Sequence, residues 1–288
     1  MAKARELRRR IRSVEKTRQI TNTMEMVATS KLKRAQDRVV AARPYAAALA
    51  DVIADLFQPD LSQRFPWLRV VEQPRRAALV LITSNRGLCG GFNANLIRLA
   101  KQRMTELAGQ GVDAELHAIG RKGIGYFRYV GQAMASQRQD IGDRPTPAHA
   151  VEVVEPLMAR FERGELDAVE VVFAKFNSPV STPPTRMQIL PIVLSEADRR
   201  TAANSILRPS AEAIVGAILP LYVHHQMYRA LVETAASEQG ARRTAMKNAT
   251  DSAGEMIDWL RRTYNRARQA QITQEIAEIV GGSEAQKG

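Results

Sequence analysis

Heptad-like spacing at both ends of the chain, around roughly 150 residues of alternating strand and helix pattern, predicts an α/β protein. The expected architecture is a long antiparallel coiled coil of N- and C-terminal helices with an inserted doubly wound, Rossmann-like domain. From Ile214 a 4-3 spacing runs through Ile218, Leu221, His225, Tyr228, Val232, Ala235, Gln239, Arg242, Met246, Ala249, Ala253, Met256 and Leu260 to Ala277. At the other end Leu7, Ile11 and Val14, then Ala28, Leu32, Ala35, Val39, Ala42, Ala46, Leu49, Ile53 and Leu56, repeat it. A sustained 3.5-residue repeat is a coiled-coil seam, and two seams tied at their inner ends to one insert pair most simply antiparallel.

The elements follow in order. The N-terminal helix spans 1–57 and stops before Pro59; Pro44 lies inside it and should bend it. Around Arg18 to Glu25 the strict seam positions are polar, whereas Ile20, Met24 and Val27 sit one place earlier, which predicts a local register shift. Residues 58–74 read as a connector and 75–205 as the globular insert. Ala77 to Thr83 has the continuous apolar run of a buried parallel strand, followed by the loop SNRGLCGG and a helix from about Asn93 to Leu107. Val112 to Ile119 is the second strand, GRKG a loop, and Ile124 to Tyr129 a short helix. A weak strand near Gln132 to Ser136, a helix from Ala148 to Phe161, a strand from Ala168 to Phe176 and a last segment from Arg186 to Leu194 complete the insert. The C-terminal helix spans 210–281, capped by Ser210 and ended by Gly281 and Gly282, with 282–288 as a tail. At about 1.5 Å per residue the second helix outruns the first by roughly 20 Å. Alanine fills much of both seams, so the backbones can approach closely and form a slim rod.

Composition bounds the function. The 45% hydrophobic and 25% charged content supports a packed core. Cys89 stands alone, which excludes an intrachain disulfide. No apolar run reaches the roughly 20 residues of a membrane span, and the helical pattern starts too early to leave a removable leader. The net charge is +12, concentrated at the start: thirteen Lys or Arg against four acids between Lys3 and Arg43. A solvated basic face, nucleic-acid binding and docking on acidic protein surfaces all account for it. The second lacks base-stacking aromatics, since Tyr45 is the first aromatic residue.

Chemistry-bearing motifs are weak. SNRGLCGG is neither GxGxxG nor GxxxxGK[ST], and a tight turn explains it better than a phosphate cradle. Cys89 has no His partner in sequence, and adjacent His224 and His225 point to different helix faces and cannot chelate one metal together. No catalytic, cofactor-binding or metal-binding residue is expected. Instead, polar residues crowd helical positions that should be apolar: Glu238, Gln239 and Arg242, then Arg266, Arg268, Gln269, Thr273, Glu275 and Glu278. Such residues usually specify register or a partner. An α/β enzyme with helical oligomerisation arms and a basic coiled-coil nucleic-acid binder remain as alternatives.

Three stretches resemble the gamma subunit of rotary ATP synthases, the central-stalk rotor: RRRIRSVEKTRQITNTMEMVATSKLKRAQ, TSNRGLCGGFNANL, and ASEQGARRTAMKNATD with YNRARQAQITQEIAEIVGG. Ser283 and Leu207-Arg208-Pro209 depart from the family pattern, and the two-cysteine insertion of chloroplast members is absent. The resemblance implies a non-catalytic shaft that couples ion flow to ATP synthesis or hydrolysis by rotating among alpha and beta subunits. It further implies contacts with an epsilon subunit and a membrane c-ring, no nucleic acid, and peripheral placement on the cytoplasmic face of a bacterial inner membrane. Met24, Glu238, Arg242, Arg268, Gln269, Thr273 and Glu275 would then meet alpha and beta subunits, and Leu207 and Arg208 the membrane ring. The basic flank of Arg8, Arg9, Arg10, Lys31, Lys33 and Arg34 would face acidic loops of the beta subunits.

Overall fold

A computed structural model describes residues 2–56, 64–71, 73–192 and 211–285. Two compact units are present: residues 1–28 with 243–288, and residues 29–242. The helices α1 (Ala2–Leu56) and α5 (Ala211–Ala285) contribute to both.

The unit of 29–242 is built on a five-stranded sheet of order β3-β2-β1-β4-β5. Its strands are β1 (Arg76–Ile82), β2 (Asp113–Ile119), β3 (Ser136–Arg138), β4 (Ala168–Ala174) and β5 (Pro184–Leu190). Four strands run parallel and β5 closes the edge antiparallel to β4. β1 is buried from Ala77 to Ile82 because helices cover both faces, which is why its sequence reads as one apolar run. On one face Phe92, Leu96 and Ala100 of α2 (Phe92–Gly109) and Phe127 of α3 (Arg121–Tyr129) pack on Leu79, Leu81, Leu116 and Val172. On the other, Val154, Leu157 and Phe161 of α4 (Pro147–Glu162) join Val215, Leu219, Val223 and Met227 of α5 against Ala78, Val80 and Val171. Leu32, Ala35 and Val39 of α1 cluster with Val232 and Ala236 of α5, and Tyr45, further along α1, lies against His225, earlier in α5, as antiparallel helices require.

In the unit of 1–28 and 243–288 the pairing is also antiparallel. Thr250 donates to Thr21 at 2.8 Å, Arg261 to Glu15 at 2.7 Å and Arg8 to Tyr264 at 2.8 Å. Met246, Ala253, Ile257 and Leu260 are buried, whereas residues 272–283 are all exposed.

Several expectations are corrected. No register shift moves Ile20 and Val27 inward: they are 60% and 51% exposed, while Thr21 and Ala28 are buried on the strict seam. The hydroxyl of Thr250 satisfies Thr21, so a polar pair holds the register that hydropathy alone would move. Early in α5 the buried positions are Val215, Leu219 and Val223 rather than Ile214, Ile218 and Leu221. Packing on a sheet and α4 there follows rows four residues apart, not a two-helix seam. Ile257 is likewise buried in place of Met256. GRKG is not a loop, since α3 starts at Arg121. β3 lies at 136–138 rather than 132–136, and α5 continues past Gly281 and Gly282 to Ala285. Both α1 and α5 continue through their prolines, Pro44 and Pro220. Ser210 lies outside the described residues, as do Leu207 and Arg208.

Candidate coupling site

In a doubly wound sheet, ligands sit beyond the carboxyl ends of the strands where the order reverses. Here that point lies between β1 and β4, and α5 runs against the end of β4. Residues 231–240 of α5 are buried on every side. Phe176 N donates to Glu233 at 3.0 Å, Ala174 N donates to the Thr234 hydroxyl at 3.3 Å, and the Ser237 hydroxyl donates to Ala174 O at 3.1 Å. A Cβ on Gly240 would stand 2.8 Å from Pro179 O in the β4–β5 turn.

The helix after β2 is tied to the loop after β1. At the start of α3 the N–H groups of Arg121, Lys122 and Gly123 donate to Asn85 Oδ1, Ser84 O and Thr83 Oγ1. The N–H donors at the start of α3 are thus occupied by the end of β1 and the residues that follow it. Gly120 caps that helix at φ 97°, and a Cβ there would lie 2.1 Å from Thr83 O, so only glycine fits. Cys89 is buried beneath the SNRGLCGG turn, where burial pushes its thiol up, away from a reactive thiolate. A cavity of about 700 Å³ stays open at the carboxyl ends of β1 and β2, lined by Thr83, Asn85, Ile119, Arg121, Asp143 and Glu238, among others.

Two of the expected site residues, Glu238 and Arg242, come together in this unit. Arg242 donates to Glu238 at 2.6 Å and to Gly87 O at 3.3 Å, and the two residues are 7% and 8% exposed. Burial pushes the Glu238 carboxyl up, and the neighbouring guanidinium only partly offsets it. Asp143 lies on the other side of this group. Burial alone would raise its carboxyl, but the hydrogen-bonded Lys31 ammonium holds it below its ordinary value. Gln239 completes the set with an amide contact to Asp143 at 3.4 Å.

The other expected residues fall in the unit of 1–28 and 243–288. Met24 is half-buried, and Arg268, Gln269, Thr273 and Glu275 are exposed on α5. Thr273 bonds back to Gln269 O, and Glu275 accepts from Gln271, so Glu275 is partnered within its own helix. The basic flank is less free than its sequence suggests. Lys31 pairs with Asp143, Lys33 with Asp37, Arg10 with Glu6, and Arg8 bonds Tyr264.

Sequence reasoning missed Glu233, Thr234, Ser237 and the Lys31–Asp143 pair. The run ETAASEQG offered one usable signal, small and polar side chains where a helix of this kind carries apolar ones. Lys31 and Asp143 are 112 positions apart, and nothing local links them. His224 pairs with Glu155 at 2.7 Å and His117 contacts Ser136 and Glu115, each as a structural partner. Among the described residues no group of three or more His, Cys, Asp or Glu could hold a metal ion, and no helix is long and apolar enough to cross a membrane.

Residues 3–286 match the family model described as ATP synthase. The chain is 58% identical over 290 residues to the ATP synthase gamma chain of Gemmatimonas aurantiaca, with 100% of each chain covered. It is 44% identical over 287 residues to that of Moorella thermoacetica, again with 100% of each covered. Among solved structures, a chain of the central stalk and c-ring of Tetrahymena thermophila mitochondrial ATP synthase aligns at TM-score 0.62 and 26% identity, covering 80% of this chain and 99% of that one. A chain of the Euglena gracilis mitochondrial ATP synthase shares the fold at TM-score 0.69 and 20% identity, covering 99% and 94%. The chain belongs to the ATP synthase gamma chain family. Its function is that of the gamma subunit in the ATP synthase central stalk, the rotor of the catalytic sector.

Proposed function

We propose that the chain carries no catalytic site of its own and couples ion flow to ATP synthesis or hydrolysis by turning among alpha and beta subunits. One observation carries this reading. At the switch point of the sheet α5 side chains take up the free backbone groups at the end of β4, and the α3 N–H donors are bonded within the chain. What the chain leaves exposed is instead a stretch of charged and amide side chains on α5, which suits protein contacts. Met24, Arg268, Gln269, Thr273 and Glu275 are the proposed contacts to alpha and beta subunits. Glu238 and Arg242, satisfied by each other, would contribute by fixing the Gly87 turn rather than by reaching out. Leu207 and Arg208 remain the proposed contact to the membrane c-ring, and an epsilon subunit completes the partner set. The complex would sit peripherally on the cytoplasmic face of a bacterial inner membrane, with no nucleic acid involved.

The test is co-expression of the tagged chain with its alpha and beta subunits. They should co-purify with ATPase activity that the chain alone lacks. Stoichiometric ATP binding by the isolated chain, abolished by substitution of Gly87 or Gly90, would overturn the reading.

A further inference from the structure

We propose that Glu233, Thr234, Ser237 and Gly240 of α5 form a torque key, the point where a turning force on the α/β body is handed to the helix. The inference rests on the rotor reading above. Apolar packing is non-directional, so a helix held only by it can roll or slide by repacking. A grip against rotation needs directional contacts at fixed positions, and α5 makes several of them to the end of β4 within the two turns from Glu233 to Gly240.

β4 is a central strand, paired on both sides, so its end is a fixed part of the body. The ladder with β1 ends at the Leu81–Val172 pair, and Ala174 lies beyond it. On the β1 side no strand residue reaches the Ala174 N–H and C=O, and the hydroxyls of Thr234 and Ser237 stand in for one. Next to Thr234, Glu233 takes the Phe176 N–H and is itself held by Arg229 at 2.8 Å. Gly240 adds a steric stop, since backbone carbonyl Pro179 O sits against the bare Cα. Rotating α5 by one residue would leave buried backbone groups without partners and drive a side chain into that turn. Thr234 and Ser237 touch no partner surface, being 3% and 0% exposed, so their role is positioning.

The experiment uses the assembled membrane complex, with three readouts: ATP hydrolysis without load, rotation of the chain against a viscous load, and ions pumped per ATP. Thr234→Val with Ser237→Ala removes both hydroxyls at nearly constant volume. We expect unloaded hydrolysis within about twofold of wild type, whereas slip events under load rise about tenfold and pumping per ATP falls accordingly. Thr234→Ser keeps a hydroxyl and should behave as wild type, and Gly240→Ala should reproduce the slipping phenotype. Wild-type pumping per ATP in the double variant overturns the key. So does a loss of pumping matched by equal losses of unloaded hydrolysis and assembly, which would mark a purely structural role. A wild-type complex that hydrolyses ATP without turning this chain would instead refute the rotor reading.

Discussion

Arg242 reaches back one turn of α5 to Glu238 at 2.6 Å, and the pair lies buried against the Gly87 carbonyl. Because burial raises the Glu238 carboxyl despite that guanidinium, the pair is held at a net cost on the acid's side. Removing the cation should therefore cost more than neutralising the acid. Arg242→Leu is expected to destabilise the chain by about 3–5 kcal/mol near neutral pH. Glu238→Gln should cost less, because Arg242 keeps Gly87 O and the nearby Asp143 charge. The folded carboxyl binds its proton more tightly than the unfolded one, so its contribution is present at low pH and lost as pH rises through the folded value. Denaturant unfolding of both variants between pH 4 and pH 8, each within about a unit, should show the Arg242→Leu deficit shrinking toward acid. An equal deficit at all pH values would contradict the assignment.

Asp143 has the opposite sign. Its carboxyl is held low by Lys31, so its contribution is present above the ordinary aspartate value and disappears as pH falls through the folded one. Asp143→Asn should lower unfolding free energy by about 1 kcal/mol at neutral pH, the modest figure reflecting partial exposure of both side chains. Once the pH falls below the lowered value of the folded carboxyl, the variant and wild type should converge. Divergence there would show that Asp143 acts through something other than its charge.

The Thr21–Thr250 hydrogen bond explains why Ile20 and Val27 stay outside. Thr21→Val leaves the Thr250 hydroxyl with its own Met246 carbonyl, so the cost should be small, about 0.5–1.5 kcal/mol. A double-mutant cycle with Thr250→Val checks the coupling, which vanishes if the two hydroxyls act independently.

On α5, Gln269→Leu or Arg268→Ala should lower turnover and ATP synthesis in the assembled complex while helical content persists. Both side chains are exposed, so neither supports the fold. Circular dichroism alongside activity separates the outcomes. A fully active variant, or one that fails by unfolding, removes this stretch from the coupling contacts.

Basic residues of α1 should act collectively. Exposed ion pairs contribute roughly 0.2–1 kcal/mol each, so single changes such as Arg9→Ala or Arg34→Ala should leave torque intact. Lys31→Ala is the exception to watch, since Lys31 is engaged by Asp143 inside the chain. Complete loss of coupling from Arg9→Ala would refute a distributed contact.

Sequence periodicity determined the long end helices, their antiparallel pairing and the parallel strands, because each is a repeating pattern of burial along a regular element. β1 is legible for that reason: a strand covered on both faces must be apolar throughout. The exposed polar stretch at Arg268 to Glu275 is legible because it breaks the pattern. Only the tertiary structure decided the rest. Val215 is buried and Leu221 exposed because α5 meets a sheet there, and a heptad template cannot distinguish a sheet from a second helix. Thr21 lies inward because Thr250, 229 positions away, supplies its partner. Glu238 and Arg242 stand out in the sequence as polar residues at seam positions, but only the fold pairs them with each other and closes around them. Burial of a polar group depends on the arrival of a distant donor or acceptor, and that information resides in no local stretch of the chain.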